Sequence, residues 1–91
     1  MVRFGWSRDK AAANARKHRV EFSEARTVFG DPLALAIPDP LHSIGEERWI
    51  LLGRSADGRL LSVAHVDRGD EIRIVSARRA TTRERRIYEG T

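Results

Sequence analysis

Ile72-Arg73-Ile74-Val75-Ser76-Ala77 is rich in β-branched residues and reads as a β-strand. It runs straight into Arg78-Arg79-Ala80-Thr81-Thr82-Arg83-Glu84-Arg85-Arg86-Ile87-Tyr88, a turn followed by a basic helix. An unpaired guanidinium is very costly to bury. Arginines at this junction therefore pair with acids or face something anionic. In a chain this small and basic, the expected anion is RNA.

Working back from that strand, the hydrophobic period stays short. Asp67-Arg68-Gly69-Asp70 is a tight turn, and Arg59 to Val66 is the strand before it. Ser55-Ala56-Asp57-Gly58 is a hairpin turn, since Asp-Gly suits the positive φ such turns need. Glu47 to Arg54 is another strand, preceded by the polar loop Leu41 to Glu46. Leu33-Ala34-Leu35-Ala36-Ile37 is a short apolar strand, ended by Pro38-Asp39-Pro40.

Before Gly30-Asp31-Pro32 the period becomes helical. Phe22, Ala25, Val28 and Phe29 fall on one side of a helix over residues 23–29, with Ser23 as its cap. An alanine-rich helix capped by Ser7 precedes it and runs to about His18. Val2 to Trp6 reads as a short extended or capping segment. Thr81 or Thr82 caps the final helix, with Glu84 or Arg85 in its first turn. The expected fold is α+β, in the order α-α-β-β-β-β-α. The short turns imply a four-stranded antiparallel meander, and helices must cover one side of it.

The 91 residues read as one domain spanning positions 1–91, with no linker or repeat. The net charge is +4, and Lys10 and Lys17 are the only lysines; every other cation is arginine. Arginine forks match phosphate oxygens and stack on bases. A GC-rich coding bias also favours arginine and alanine, so composition alone does not decide the partner. The absence of cysteine excludes disulfides and thiolate metal sites. With no signal-like or membrane-spanning apolar stretch, a soluble cytoplasmic protein is expected.

His18, His42 and His65 form no H-x-x-x-H pair, so no metal and no cofactor are expected. There is no glycine-rich phosphate loop. Ser43, Ser55, Ser62 and Ser76 lie in no nucleophile elbow. RNA cleavage by 2′-OH attack needs neither a metal nor a protein nucleophile. It needs groups that move protons and groups that hold phosphorane charge. His42, Glu46, Glu47, Arg48, Arg54, Arg59, Arg78 and Tyr88 make up such a set. Each has a plain reading as well: Glu46, Glu47 and Arg48 as solvated charges at a strand start, Arg54 and Arg59 as hairpin polar residues, Tyr88 as a packed aromatic. Arg78 stands out because it leaves the sheet just before a helix cap, where an anion meets both guanidinium charge and free N–H groups.

Trp6-x-x-x-Lys10-x-x-x-Asn14-x-x-Lys17-His18-x-Val20-x-Phe22-x-Glu24-Ala25, followed by Val28-Phe29-x-Asp31-Pro32, resembles the N-terminal half of BrnT-type toxins. His42-Ser43-x-x-Glu46-Glu47-Arg48, Gly53-Arg54-Ser55, Gly58-Arg59 and Ile72-Arg73-Ile74-x-Ser76-Ala77-Arg78 carry the pattern on to Glu84 and Tyr88. Two positions depart from it: Ser7 replaces an acidic residue, and Arg19 replaces the glycine after the Lys-His pair.

The resemblance implies a RelE-like microbial ribonuclease fold and a type II toxin that cleaves RNA and arrests translation. It implies a BrnA-type antitoxin whose ribbon-helix-helix part binds operator DNA, so that DNA is met only through the antitoxin. Two toxins and two antitoxins are expected in the complex, with no membrane partner. It also places basic residues from central strands, an arginine after the last strand and a tyrosine of the final helix in the site. Arg48, Arg59, Arg78 and Tyr88 fall there. On this reading Arg48, Arg59 and Arg78 hold the scissile phosphate, with Glu46 or Glu47 as general base and His42 as general acid, or with the carboxylate and the histidine in exchanged duties. Lys10, Arg54 and Tyr88 contact substrate. The rival is a non-catalytic RNA- or protein-binding module. A DNA-binding regulator fits less well, since no helix-turn-helix pattern is present.

Overall fold

Arg3–Gly5, read from the sequence as a mere extended or capping segment, is a strand, β1, and it corrects the expected topology. The computed structural model describes residues 2–90. After β1 come α1 (Arg8–His18) and α2 (Phe22–Thr27), then a 3-10 turn, Val28–Gly30. Next are β2 (Leu35–Pro38), a second 3-10 turn (Pro40–His42), β3 (Arg48–Arg54), β4 (Leu60–Asp67), β5 (Glu71–Arg79) and α3 (Thr82–Glu89). The sheet order is β1-β5-β4-β3-β2. The expected antiparallel pairings of β2 to β5 are present. The sheet as a whole is mixed, because β1 lies parallel to β5 with Arg3 opposite Glu71. Three residues are too few to show a period of two. Their pairing partner lies some 68 positions away in the chain, so no local signal announces it.

Local chemistry accounts for most element ends. Ser7 Oγ accepts from the Lys10 N–H at 3.3 Å and opens α1. Thr81 and Glu84 form a reciprocal capping box on α3. The second helix departs from expectation: its N-cap is Glu21, without a side-chain cap bond, and Ser23 lies inside it. Phe22 thus begins the helix and sends its ring into the core.

The core lies between the sheet and the first two helices. Val20, Phe22, Ala25 and Val28 pack on Leu51, Leu61, Val63, Ile74 and Ala77. Burial of a ring such as Phe22 contributes about 2–3 kcal/mol. Trp6 meets Phe22 edge-to-face at 5.9 Å, and Phe29 meets Phe4 at 5.0 Å and His65 at 4.9 Å. Strand alternation sends Arg48, Ile50, Leu52, Arg54, Ser62, Val66, Arg73 and Arg78 to the opposite face. α3 covers one end of that face and leaves the other open.

Gly53 allows a close approach on the core side. A Cβ there meets Ala34 Cβ at 2.9 Å and Asp31 Oδ2 and Val28 Cγ1 at 3.0 Å. The segment after α2 therefore sits directly on β3, and Asp31 Oδ2 accepts from the Arg54 N–H at 2.8 Å.

Candidate active site

The sequence-predicted residues separate into groups. Six residue steps along β3 divide Arg48 from Arg54, roughly 20 Å at strand rise.

The first group gathers where β2 passes into β3. Asp39 extends the β2–β3 ladder, its N–H donating to the Arg48 carbonyl at 2.9 Å. Pro40 then starts a 3-10 turn that returns His42 to Asp39, with Nδ1 at 3.0 Å from both carboxylate oxygens. Ser43 Oγ donates to the Asp39 carbonyl at 2.7 Å and accepts from the Arg48 N–H at 2.9 Å, which closes the loop. The imidazole is 61% exposed and its carboxylate partner 19%, so the ring is oriented from below and open above. With Nδ1–H donating to Asp39, Nε2 is left as the proton-transfer position. Glu47 and Arg48 line a shallow cavity of about 290 Å³ beside this turn, with Pro38, Ser43 and Trp49. The Arg48 guanidinium has no carboxylate partner among the described residues. Arg73 stands opposite Val66, which stands opposite Arg48, so both arginines rise from one face at one level of the sheet.

Glu46 lies nearby but is engaged. Arg68 donates to it through Nε at 2.7 Å and Nη2 at 3.1 Å. That guanidinium holds the Glu46 carboxyl below its ordinary range. Its basicity is lowered accordingly, whereas Glu47 has no such tether among the described residues.

The second group sits at the other end of β3. Tyr88 donates its hydroxyl to Asp31 Oδ2 at 2.7 Å, and the Arg54 guanidinium lies 5.7 Å from the centre of its ring. Asp31 raises the Tyr88 hydroxyl above its ordinary value by accepting that bond. A phenol held this way packs and positions before it gives up a proton. Arg54 also donates through Nη1 to the Gly58 carbonyl at 3.1 Å.

Arg78 is inside β5, since the strand runs on to Arg79 and the turn after it is shorter than the sequence suggested. Its guanidinium meets Glu84 in a fork, Nη1 to Oε1 at 2.8 Å and Nη2 to Oε2 at 3.0 Å. Glu84 Oε1 also accepts from the Thr81 N–H at 2.8 Å, so one carboxylate caps α3 and neutralises Arg78. Arg59 turns away from the open face. It donates through Nε to Glu24 Oε2 at 2.9 Å, through Nη2 to Glu24 Oε1, and through Nη2 to the Arg19 carbonyl at 3.1 Å. The Glu24 carboxyl is lowered by that guanidinium, against the opposing effect of burial. Arg59 thus links the β3–β4 hairpin to α2. Lys10 is on α1 with Lys17 and His18, beside Val75 and Ser76, and joins neither group.

Asp39, Asp31 and Arg73 escaped the sequence reading as site residues. Asp39 carried one usable signal, its i, i+3 spacing from His42 in a turn set by Pro40. Arg73 carried another, the polar step between Ile72 and Ile74. Among the described residues, no group of three or more histidine, aspartate or glutamate side chains is placed to hold a metal ion. No described helix is long and apolar enough to cross a membrane.

The fold is that of a solved relative. The crystal structure of the Brucella abortus ribonuclease toxin BrnT superposes with a TM-score of 0.70 at 18% identity, covering 90% of this chain and 100% of that one. No curated protein sequence matches the chain. The family model for the ribonuclease toxin BrnT of type II toxin–antitoxin systems matches residues 6–84, which takes in both core helices, all four antiparallel strands and the α3 capping box. By that match, the chain belongs to the BrnT family of type II ribonuclease toxins.

Proposed function

We propose that the chain is an endoribonuclease toxin that cuts RNA by attack of a 2′-OH on the adjacent phosphorus, without a metal, and so arrests translation. The Asp39–His42 pair beside Arg48 carries this reading. It joins an oriented, accessible imidazole to an unanswered guanidinium, in a family of ribonuclease toxins.

The substrate's 2′-OH is the nucleophile. Glu47 accepts its proton as the O2′–P bond forms. Arg48 holds the phosphate oxygens, and Arg73 adds positive field across the face. His42 gives the Nε2 proton to the 5′ oxygen as the P–O5′ bond breaks. The products are a 2′,3′-cyclic phosphate and a 5′-hydroxyl end. Glu46 is the alternate base, restrained by Arg68. Arg78 takes part by exchanging Glu84 for phosphate, with Arg54 and Tyr88 contacting the strand beyond it. Arg59 and Lys10 add charge at the margins.

A BrnA-type antitoxin with a ribbon-helix-helix dimer supplies the partner, giving two toxins and two antitoxins. A partly disordered acidic or mixed arm covers the arginine-rich face and silences the enzyme. Operator DNA is bound through the antitoxin. The site of action is the cytoplasm.

The test is cleavage of a defined RNA by purified protein, with and without EDTA, and with end-group mapping. EDTA-resistant cutting that leaves cyclic phosphate ends, abolished by His42→Ala and Arg48→Ala, is expected. RNA binding without cutting identifies a non-catalytic module instead. Activity restored only by a divalent ion overturns the mechanism.

A further inference from the structure

We propose that the cleft among Arg59, Arg79 and Arg85 is a second phosphate subsite, which grips the RNA backbone outside the reaction site. It rests on reading the chain as a protein that acts on RNA.

Arg78 and Arg79 are neighbours on β5, and alternation sends them to opposite faces. Arg78 stands opposite Ser62 on the α3 side, and Arg79 stands opposite Leu61, whose side chain is in the core. Just past Arg79 the Ala80 N–H donates to the Leu60 carbonyl at 2.9 Å, which closes the end of the ladder. Arg59 enters at the same level from the β3–β4 hairpin, and Arg85 comes from the first half of α3. With Gly58, Leu60 and Ala80 they enclose a cleft of about 310 Å³.

Three guanidinium groups and no carboxylate line this cleft, and the acids that reach them, among them Glu24, which also feels the charge of Arg79, stand outside it. Glu24 answers Arg59 with a pair of hydrogen bonds. Arg85 has only Glu89, 3.8 Å away in an exposed pair. The Arg79 guanidinium makes no ion pair and no hydrogen bond among the described residues. Three guanidinium groups around one small space repel each other, and an anion between them relieves that repulsion. The geometry favours a phosphate over an acidic protein segment. A lasting protein contact needs an apolar anchor in a pocket, and the apolar side chains lining this cleft are the buried Leu60 and the small Ala80. The position favours a continuous strand over a free ion. An RNA backbone that runs along this face from the level of Arg48 and Arg73 to Arg78, beside α3, and turns around the end of β5 meets Arg79 next.

The experiment is equilibrium binding of a non-cleavable 2′-O-methyl RNA, read by fluorescence anisotropy across a salt series. Wild type is compared with Arg79→Ala, Arg79→Lys and, as a charge control, Arg16→Ala on exposed α1. Inorganic phosphate serves as a competitor, and thermal melting monitors each fold. Arg79→Ala is expected to weaken binding and to lower the slope of log affinity against log salt by about 0.7, the value for one single-strand phosphate contact. Arg79→Lys should restore the slope, and Arg16→Ala should leave it unchanged. A shorter oligomer that cannot reach from Arg78 to the cleft should show no Arg79 dependence. Equal effects of Arg79→Ala and Arg16→Ala overturn the subsite, as does an Arg79 effect that millimolar phosphate reproduces on the shortest oligomer. So does intact RNA binding by Arg79→Ala with weakened antitoxin capture. Binding of this uncuttable probe is read apart from catalysis, so a wild-type protein that binds it but cuts no unmodified RNA overturns the catalytic reading and leaves the subsite standing.

Discussion

The side-chain amide of Asn14 completes the edge of β5 where β1 stops. Its Nδ2 donates to the Ala77 carbonyl at 2.8 Å, and its Oδ1 accepts from the Ala77 N–H at 3.0 Å. The same Nδ2 donates to the Val20 carbonyl at 2.9 Å. β1 pairs only with Glu71 to Arg73, so the later part of β5 needs another partner. One helix residue supplies it in the manner of a neighbouring strand. Asn14→Ala strands those buried backbone groups and should cost about 3 kcal/mol, read as the urea midpoint at constant slope. A loss under about 1 kcal/mol would mean that water replaces the amide there.

Arg19 ends α1 with φ +58°, the left-handed region, and its N–H donates to the Ala15 carbonyl. It stands where the resemblance to BrnT-type toxins leads one to expect glycine. The Cβ is disfavoured in that region by about 1 kcal/mol, and the carbonyl that Arg59 uses belongs to the backbone. Arg19→Gly should therefore stabilise the chain by several tenths to about 1 kcal/mol, with the Arg59 contact kept. A lower melting temperature would show that the Arg19 side chain contributes more than its backbone strain costs.

His65 is buried against Phe29, with Nδ1 3.3 Å from the Val63 carbonyl. Burial depresses the imidazole below its ordinary value near 6.5. The unfolded chain therefore binds the proton more readily than the folded one. The neutral ring's contribution to stability is complete above about pH 6.5 and is lost as pH falls through the lower folded value. Denaturation midpoints should drop across that window, and His65→Phe should flatten the drop.

Arg78 and Glu84 test structure against function. Arg78→Ala should abolish growth arrest while costing about 1 kcal/mol or less of stability, because the fork is partly exposed. Glu84→Ala removes half of the capping box and should cost about 1 kcal/mol through fraying of α3. Arg78 lowers the Glu84 carboxyl below 4.5, so the pair's support is present above that pH and lost as pH falls through the folded value. Helicity measured between pH 6 and 3 should report it. Full toxicity of a folded Arg78→Ala protein removes Arg78 from the site.

Asp39 is expected to act through His42. Asp39→Asn should reduce the cleavage rate at saturating RNA with little change in affinity, whereas His42→Ala should cost about a hundredfold or more. Neither should move the melting temperature much, since the imidazole is well exposed and the backbone ladder at Asp39 survives. A rise in KM alone would make Asp39 a contact for substrate.

Signals confined to a few neighbouring residues are legible in the sequence. Ser7 and Thr81 mark helix starts because their side chains reach N–H groups three residues on. Asp57-Gly58 marks a hairpin because the turn demands a positive φ, which Gly58 adopts at +84°. Phe22, Ala25, Val28 and Phe29 mark a core face because helical spacing aligns them. The antiparallel pairing of β3, β4 and β5 follows from the short turns between them, and the family from motifs spread along the chain.

Relations between distant segments are not legible there. The sequence could not place β1 beside β5, since three residues have no stable conformation until a partner strand satisfies their N–H and C=O groups. Nor could it say which arginines are free. Arg48, Arg59 and Arg78 are the same residue type in similar settings, yet the fold gives Glu24 to Arg59 and Glu84 to Arg78 and leaves Arg48 unpaired among the described residues. Charge is a property of the residue, whereas availability depends on which carboxylate the packed chain brings within reach. The sequence by itself determined the three helices, the four antiparallel strands, the caps of α1 and α3 and the excess of arginine. The tertiary structure decided the parallel edge, the Asp39–His42 pairing and the division of the arginines between those held by a carboxylate and those without one among the described residues.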